Sequence, residues 1–468
     1  MRGPIAELAL RVQLGSFAGT TLPPDWARLL EEGLGGVCLF GSNLPGDPAS
    51  ARSLVAAIRE RRPTALVATD EEGGDVTRLH RDAASPVPGP AVLGAADDLD
   101  LTTEVGRAVG AELASLGIGL DLGPVADVNS NPANPVIGTR SFGAEPDLVA
   151  RHVAAWVAGL QAAGVAACVK HFPGHGDTAQ DSHLTLPVLD ADLATLRTRE
   201  LVPFAAAVEA GAAAVMTSHL MVPALDAARP ATLSGSVLGL LRSDLGYDGA
   251  IVSDALDMAG ASGARSIPDA AVDALAAGVD LVCTGPDKEA ALVRAVQAAI
   301  VRAVRDERLP LARLVDAADR VEHLGRVPAA DLTVTSDEAR YVAAARAALV
   351  REGTVPDLRG ARVVSVATEA NIAVGAGRWG IDPQLTVRAG EALPEGPVVV
   401  QVRDGHRRPE VAAMLASATG PVLVVEWGWP GPRTGWESTP HARLCTRGNG
   451  RPSIAAVEEI LREAGWQR

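Results

Sequence analysis

The chain of 468 residues is short of cysteine, of aromatic residues and of long apolar runs. Its four cysteines are widely spaced and show no metal-type pairing, which predicts small buried thiols in a reduced compartment. No segment approaches the roughly 20 apolar residues of a membrane span, and the N-terminus has no apolar signal core followed by a cleavage site. We therefore expect a cytoplasmic protein with no membrane partner.

Positive charge is also scarce relative to negative charge. The chain has 42 Lys and Arg residues against 57 Asp and Glu residues, a formal net charge of −15. Nucleic acids and anionic membrane surfaces are bound through clustered positive charge, so neither is expected as a partner. Anionic small molecules are not excluded, because local charge matters more for them than the total.

Short β-branched runs recur along the chain, separated by alanine-rich stretches with apolar residues at helical spacing. The predicted strands are 11–14, 36–40, 65–68, 119–122, 166–169, 213–216, 250–252 and 280–283. Eight strands that alternate with helices predict an α/β fold, a (β/α)8 TIM-type barrel. A doubly wound open sheet is the alternative, which is weakened because no glycine-rich phosphate loop follows the first strand.

The pattern changes after residue 332, where a second and smaller unit begins. Residues 337–350 are predicted to form a helix and 356–362 a linker. The strands expected after it are 362–366, 398–402, 422–426 and 442–445, with a closing helix over 453–464. We therefore predict a barrel over 1–335, a helix and linker over 336–360, and a small sandwich-like αβα domain over 361–468.

The sequence KHFPGHGDTAQDSH at residues 170–183 directly follows the predicted fifth strand. It contains three of the nine histidines of the chain, two aspartates and a lysine. In barrel enzymes, catalytic groups lie on loops just past the C-terminal ends of the strands. This segment is therefore a candidate active-site loop.

Each charged residue of this loop has two interpretations. Asp181 and His183 are two residues apart, so the carboxylate could orient the imidazole and raise its pKa, or the two could be a surface pair. Lys170 needs a partner because an unpaired buried ammonium is costly. That partner is either an acid of the barrel or the hydroxyl groups of a substrate. His171, which ends the same strand, could likewise pair with a barrel acid or bind substrate hydroxyls. His175 lies between two glycines, which favours a role in shaping the loop.

Other predicted strands also end in polar residues. The third runs into DEEGGDVTR at 70–78, the sixth into TSH at 217–219 and the seventh into SDALDM at 253–258. Asp254 is either the N-cap of a following helix or a carboxylate nucleophile or metal ligand. Arg140 lies in NPVIGTRSF at 134–142, where proline and glycine indicate a fixed position. Polar groups that meet at one face of a barrel predict a functional site.

These motifs, in this order, make residues 1–335 resemble glycoside hydrolase family 3, specifically its β-N-acetylglucosaminidase branch. The segments 70–78, 134–142, 214–219 and 253–258 match family motifs, and 170–183 is similar to the signature of the branch through its DSH ending. Asp75 departs from the family, which often has arginine or another residue there, and this change could alter the rim of the pocket. The C-terminal unit is also shorter than the second domain of many two-domain members.

The resemblance implies a retaining exo-β-N-acetylglucosaminidase, a β-N-acetylhexosaminidase that needs no metal or cofactor. It implies that Asp254 is the nucleophile of a covalent glycosyl-enzyme and that His183 is the general acid/base, with Asp181 as its partner. The implied sugar-binding residues are Asp70, Arg78, Arg140, Lys170, His171 and Met216. The expected partner is a small carbohydrate, an N-acetylglucosamine glycoside such as a peptidoglycan fragment, and the expected process is peptidoglycan recycling.

Three alternatives stay open. A neutral histidine does not repel an anion as a carboxylate does, so phosphate could replace water, which would make a β-N-acetylglucosaminide or β-glucoside phosphorylase. His171, His175, Asp181 and His183 could instead be ligands in a metal-dependent barrel hydrolase. A non-catalytic sugar-binding protein is disfavoured because the implied nucleophile and acid/base are both present. The aromatic content of 3% favours a small substrate over a long polysaccharide.

Overall fold

A computed structural model of the chain describes residues 4–44, 48–181, 186–262, 265–325, 337–368, 371, 373–375, 377–431 and 441–468. Within these ranges no helix combines the length and the apolar character that a membrane crossing requires.

Eight parallel strands form the barrel. They are β1 (Gln13–Gly15), β2 (Gly36–Cys38), β3 (Leu66–Thr69), β4 (Leu120–Asp121), β5 (Ala166–Phe172), β6 (Ala214–Thr217), β7 (Ala250–Val252) and β8 (Val282–Cys283). The strands pair in chain order, and β8 also pairs with β1. A bridge between Val252 and Leu281 joins β7 to the start of β8, so the sheet closes. The predicted (β/α)8 barrel is confirmed, and the open-sheet alternative is wrong.

The helices of the barrel lie before, between and after these strands. They are α1 (Pro4–Arg11), α2 (Pro24–Glu31), α3 (Pro48–Arg61), α4 (Pro90–Ala96), α5 (Leu99–Leu116), α6 (Pro146–Ala162), α7 (Leu193–Thr195), α8 (Val202–Glu209), α9 (Gly235–Gly239), α10 (Ala259–Ser262), α11 (Ile267–Ala277), α12 (Ala290–Arg305) and α13 (Leu311–Leu324). The helical stretch 193–209 is divided into α7, a wider turn over Leu196–Glu200, and α8. Pro203 lies in the first turn of α8, where its missing N–H costs nothing.

Small and apolar side chains from all eight strands fill the interior of the barrel. The inward-facing set includes Leu14, Cys38, Ala68, Leu120, Cys168, Ala214, Val252 and Cys283. All four cysteines are buried and unpaired, as their spacing predicted. Because all eight strands run parallel, their C-terminal ends, which lead into the polar segments, meet at one mouth of the barrel.

A six-stranded sheet forms the core of the second unit. Its strands are β9 (Val350–Glu352), β10 (Arg362–Ala367), β11 (Leu385–Arg388), β12 (Val398–Val402), β13 (Val422–Glu426) and β14 (Ala442–Cys445), in the order β9-β14-β13-β12-β10-β11. Only β9 is antiparallel to its neighbour. Helices α14 (Glu338–Ala348) and α16 (Arg451–Glu463) cover one face, and α15 (Pro409–Ala416) covers the other. The predicted αβα layering is confirmed.

The sequence did not predict the two edge strands β9 and β11. β11 has a single buried side chain, and β9 follows directly on the predicted helix. Short, exposed edge strands carry little of the apolar pattern by which strands are recognised.

Candidate active site

A cavity of about 360 Å³ opens at the C-terminal ends of the barrel strands. This volume is within the range of about 300–1,000 Å³ that is usual for small-molecule sites. Residues from most strand ends line it, and so does Ala373 of the second unit. Seven of the residues predicted from the sequence meet there, namely Asp70, Arg78, Arg140, Lys170, His171, Met216 and Asp254.

The predicted acid/base pair stays a prediction. Asp181 is half-buried on the loop after β5 and is not among the residues that line this cavity. His183 lies outside the described residues.

Two cations and two carboxylates form a buried cluster at the base of the cavity. Lys170 Nζ lies 2.8 Å from Asp70 Oδ1 and 2.6 Å from Glu72 Oε1. Arg140 donates from Nε and Nη2 to the two oxygens of Glu72, at 2.9 and 2.8 Å. The Lys170 and Glu72 side chains are only 3% and 1% exposed, so water screens these contacts little. Paired and bidentate geometry of this kind offsets much of the cost of burying charge.

The cluster keeps its charges at neutral pH. Burial alone would raise the pKa of Asp70, but Lys170 and Arg78 outweigh it and hold that pKa well below its usual range. Burial likewise opposes ionisation of Glu72, yet Arg140 and Lys170 lower its pKa to about 2. The stabilisation from both carboxylates is therefore complete above their unfolded pKa, near 4, and is lost as the pH falls through their lower folded values.

Alternation along the chain explains why Asp70 and Glu72 work together. Residues two apart in extended backbone point the same way, and Glu71 between them points elsewhere. The carboxylate of Glu71 accepts the backbone N–H groups of Arg78 and Leu79 at 2.9 and 3.1 Å, and burial raises its pKa to about 7. Glu72 was not predicted as a site residue, although the alternation of side chains in the run Asp70-Glu71-Glu72 places it on the same side as Asp70.

A glycine turn brings Arg78 back to Asp70. Gly73 and Gly74 have φ values of +76° and +58°, which only glycine adopts without strain. They connect Glu71–Gly73 to Val76–Thr77 in a short hairpin. Arg78 Nη2 then lies 3.2 Å from Asp70 Oδ2, so the guanidinium completes the polar wall of the cavity.

Asp127, in the loop after β4, orients His171. Its Oδ2 lies 2.7 Å from His171 Nδ1, and its Oδ1 accepts the backbone N–H groups of His171 and His175 at 3.2 and 2.8 Å. Because the carboxylate is bound to Nδ1, the other ring nitrogen is directed away from it and lies 3.4 Å from Arg140 Nη2. His171 therefore presents one defined nitrogen toward the cavity.

His175 has the features of a loop-shaping residue. It is buried, its Nδ1 lies 2.7 Å from Thr178 Oγ1, and burial lowers its pKa to about 4. The following Gly176 packs so closely on the carbonyl of Val128 that a Cβ there would lie 1.8 Å from the oxygen. These contacts agree with the sequence interpretation of His175.

Asp254 follows β7 at the mouth of the cavity and does not cap a helix. Its Oδ1 accepts the N–H of the next residue, Ala255, at 2.8 Å, whereas α10 begins only at Ala259. A helix N-cap would accept from an amide two or three residues further on, so the capping interpretation is wrong.

His219, from the TSH segment after β6, supports the backbone beside Asp254. Its Nε2 lies 3.0 Å from the carbonyl oxygen of Ala255 and its Nδ1 lies 2.9 Å from Thr232 Oγ1. The contact to a carbonyl requires a proton on Nε2. His219 is thus a positioning residue behind the carboxylate of Asp254.

Asp75 does not alter the rim of the pocket, contrary to what its departure from the family pattern suggested. It lies at the contact between barrel and second unit, where its side chain is 4% exposed. Its Oδ1 lies 2.7 Å from Arg403 Nη2, and its Oδ2 accepts Thr139 Oγ1–H at 2.6 Å. The carboxylate of Asp75 therefore forms an ion pair with an arginine of the second unit.

Within the described ranges, no group of three or more His, Cys, Asp or Glu side chains is arranged to hold a metal ion. Of the four candidate ligands, His183 lies outside those ranges, so the metal-dependent alternative stays a prediction.

We expect Lys170→Met to destabilise the fold by about 3–5 kcal/mol, because it leaves two buried carboxylates without their shared cation. The chain contains only one other lysine, Lys288, which pairs with Asp257 at 2.7 Å near the surface. Lys288→Met is therefore a matched control, with an expected cost below about 1 kcal/mol. Urea unfolding of both variants measures the difference, and equal costs would show that the buried cluster adds little.

The chain is similar to a known protein family and to several of its members. The family model described as Glycosyl hydrolase family 3 N terminal domain matches residues 20–324. A β-hexosaminidase of Chromobacterium violaceum is 41% identical over 305 residues, which cover 63% of this chain and 82% of the relative. β-Hexosaminidase A of Pseudoalteromonas piscicida is 40% identical over 288 residues, 56% of this chain and 48% of the relative. The chain thus spans about half the length of that second relative.

Similarity to solved structures extends over both units. The glycoside hydrolase family 3 β-N-acetylglucosaminidase from Paenibacillus sp. str. FPU-7 has a TM-score of 0.88 and 30% sequence identity. The similarity covers 98% of this chain and 96% of that one. It therefore extends through the second unit, beyond the residues that the family model matches.

Proposed function

This chain belongs to glycosyl hydrolase family 3, and on that premise we propose that it is a retaining exo-β-N-acetylglucosaminidase. Its substrates would be small N-acetylglucosamine glycosides such as peptidoglycan fragments. The observation that carries the proposal is that Asp254 lines the same small cavity as the cluster of Asp70, Lys170 and Arg140. The names of the relatives, β-hexosaminidase and β-N-acetylglucosaminidase, support the choice of sugar.

The polar wall would bind one terminal sugar. Asp70 accepts hydrogen bonds from sugar hydroxyls, while Arg78, Lys170 and Arg140 donate to hydroxyl or carbonyl oxygens. Met216 contributes an apolar surface against which the C–H face of the ring or the acetamido methyl packs. A cavity of about 360 Å³ suits a single sugar unit, which supports exo action.

In the first chemical step, the Asp254 carboxylate attacks the anomeric carbon. The bond between that carbon and the aglycone oxygen breaks, and His183 gives its proton to the departing oxygen. In the second step, His183 takes a proton from water, which attacks the anomeric carbon and releases Asp254. Two inversions retain the β configuration, and the proton returns to the histidine.

Histidine suits this proton transfer because its pKa, near 6.5 when unperturbed, lies close to neutrality. Asp181 would orient the ring and stabilise the imidazolium. The described part of the loop is anchored, since Asp177 lies 2.6 Å from Arg199 Nη2 and Asn134 Nδ2 donates to the carbonyl of His175 at 2.8 Å. These anchors fix the base of the loop that carries the proposed acid/base.

A single assay tests hydrolysis against phosphorolysis. We expect 4-nitrophenyl β-N-acetylglucosaminide to release free β-N-acetylglucosamine at the same rate with and without phosphate. Formation of N-acetylglucosamine 1-phosphate, with a rate that rises with phosphate concentration, would make the enzyme a phosphorylase. No cleavage in either condition would refute both functions, and the same assay with chelator added tests the metal-dependent alternative.

A further inference from the structure

A turn of the second domain closes one side of the cavity. We call it the clamp turn and define it by Asn371, Ala373, Val374 and Gly375. The carbonyl oxygens of Ala373 and Val374 accept hydrogen bonds from Arg78 Nη2 and Nη1 at 3.0 and 3.3 Å. Arg78 also reaches Asp70, so its guanidinium joins the second domain to the charged cluster of the cavity.

Asn371 holds the clamp turn in shape and in place. Its Oδ1 accepts the N–H of Ala373 at 2.9 Å, and its carbonyl accepts the N–H of Gly375 at 2.8 Å. Its Nδ2 donates to the carbonyl of Pro135 at 2.8 Å, in the barrel loop that carries Arg140. One amide side chain therefore shapes the turn that binds Arg78 and links this turn to the barrel loop that carries Arg140.

A buried ion pair holds the second domain against this part of the barrel. Asp75 and Arg403 meet at 2.7 Å, with side chains only 4% and 14% exposed. Arg403 also lies over the ring of Trp379, 5.6 Å from its centroid, and Thr139 donates to Asp75. Separating such a pair leaves a buried charge without its partner, so the contact resists opening.

We propose that the second domain is a working part of the sugar site. In this proposal Asn371 positions Arg78 through the clamp turn, and the Asp75–Arg403 pair keeps the turn against the barrel. The proposal rests on the proposed function, in which Arg78 binds the sugar. A group that binds substrate and transition state alike affects KM more than kcat, so these positioning residues should act mainly on KM.

The test measures KM and kcat of Asn371→Ala and Arg403→Ala with 4-nitrophenyl β-N-acetylglucosaminide. We expect KM to rise about tenfold in each, the effect of losing about one hydrogen bond to a charged group, with kcat changed far less. Arg403→Lys keeps the charge and should restore most of the affinity.

Arg340→Ala is the matched control. Arg340 also joins the two domains, since it pairs with Glu104 of α5 at 2.6 Å and with Asp98, the N-cap of α5, at 2.8 Å, but it is not among the residues that line the cavity. Its loss should leave KM unchanged. If Asn371→Ala and Arg403→Ala lower the melting temperature yet leave KM unchanged as well, the clamp is merely structural and the proposal is overturned.

Hydrogen exchange separates this proposal from the proposed function. Amides 373–375 should exchange faster in Arg403→Ala than in the wild type, while Arg340→Ala leaves them unchanged. If the wild type does not cleave the glycoside, the proposed function fails. The exchange rates of amides 373–375 then still test whether the Asp75–Arg403 pair holds the clamp turn. Unchanged exchange at 373–375 in Arg403→Ala would refute the clamp whatever the activity.

Discussion

Asp254→Asn should lower kcat/KM by roughly 10⁴-fold or more while the protein stays folded. The side chain lies at the cavity mouth, so its change leaves the packed barrel interior intact. Asparagine retains an oxygen that can accept the N–H of Ala255, as Asp254 Oδ1 does. What it loses is the negative charge that attacks the anomeric carbon.

Chemical rescue distinguishes a nucleophile from a merely structural carboxylate. In Asp254→Ala, azide should enter the vacated space and attack the anomeric carbon from the same face. The product would be the α-glycosyl azide, which has the opposite configuration to the substrate. Wild-type-like rates in either variant, or a β-configured azide product, would contradict the nucleophile assignment. Unchanged melting temperatures for both variants would show that the loss is chemical.

The barrel was predictable because its strands are short apolar runs at regular spacing. Parallel strands that are buried on both faces consist almost entirely of apolar residues, so they are recognised as short apolar runs. Eight such runs that alternate with helices are compatible with only a few strand arrangements. That Asp70, Lys170 and Asp254 lie at one mouth was also predictable, since the ends of parallel strands meet there, whereas the sugar-binding set as a whole was implied by the family resemblance. Glu72 was missed, although its place two residues after Asp70 puts both carboxylates on one side of the strand.

The contribution of the second domain was not predictable in the same way. Arg78 donates to two backbone carbonyl groups of the second domain. Every residue has a backbone carbonyl, so the sequence does not mark which residues make this contact. Ala373 and Val374 are therefore not distinguished by their side chains, and they lie almost 300 positions from Arg78 along the sequence. The one signal at the sequence level was Asp75, whose departure from the family pattern marked the domain contact and not the pocket rim.

His183→Ala should slow the hydrolysis of glycosides with poor leaving groups by about 10²–10⁴-fold, the usual contribution of a general acid. An aglycone that leaves as a weakly acidic alcohol needs its proton during bond cleavage. A nitrophenol leaves readily as an anion, so glycosylation of the enzyme should suffer much less with it. The second step still needs a base to activate water, so the covalent intermediate should accumulate and produce a burst of nitrophenol.

A series of aryl glycosides measures this effect. The slope of log kcat/KM against the pKa of the leaving phenol should be much steeper in His183→Ala than in the wild type. His323→Ala is a control, because this histidine is exposed at the opposite end of the barrel and contacts the carbonyl of Asp319. An equal loss for all leaving groups would assign His183 to substrate binding. In that case the proton donor would have to be sought among the residues that line the cavity, and Asp181→Asn should then have no effect on the slope.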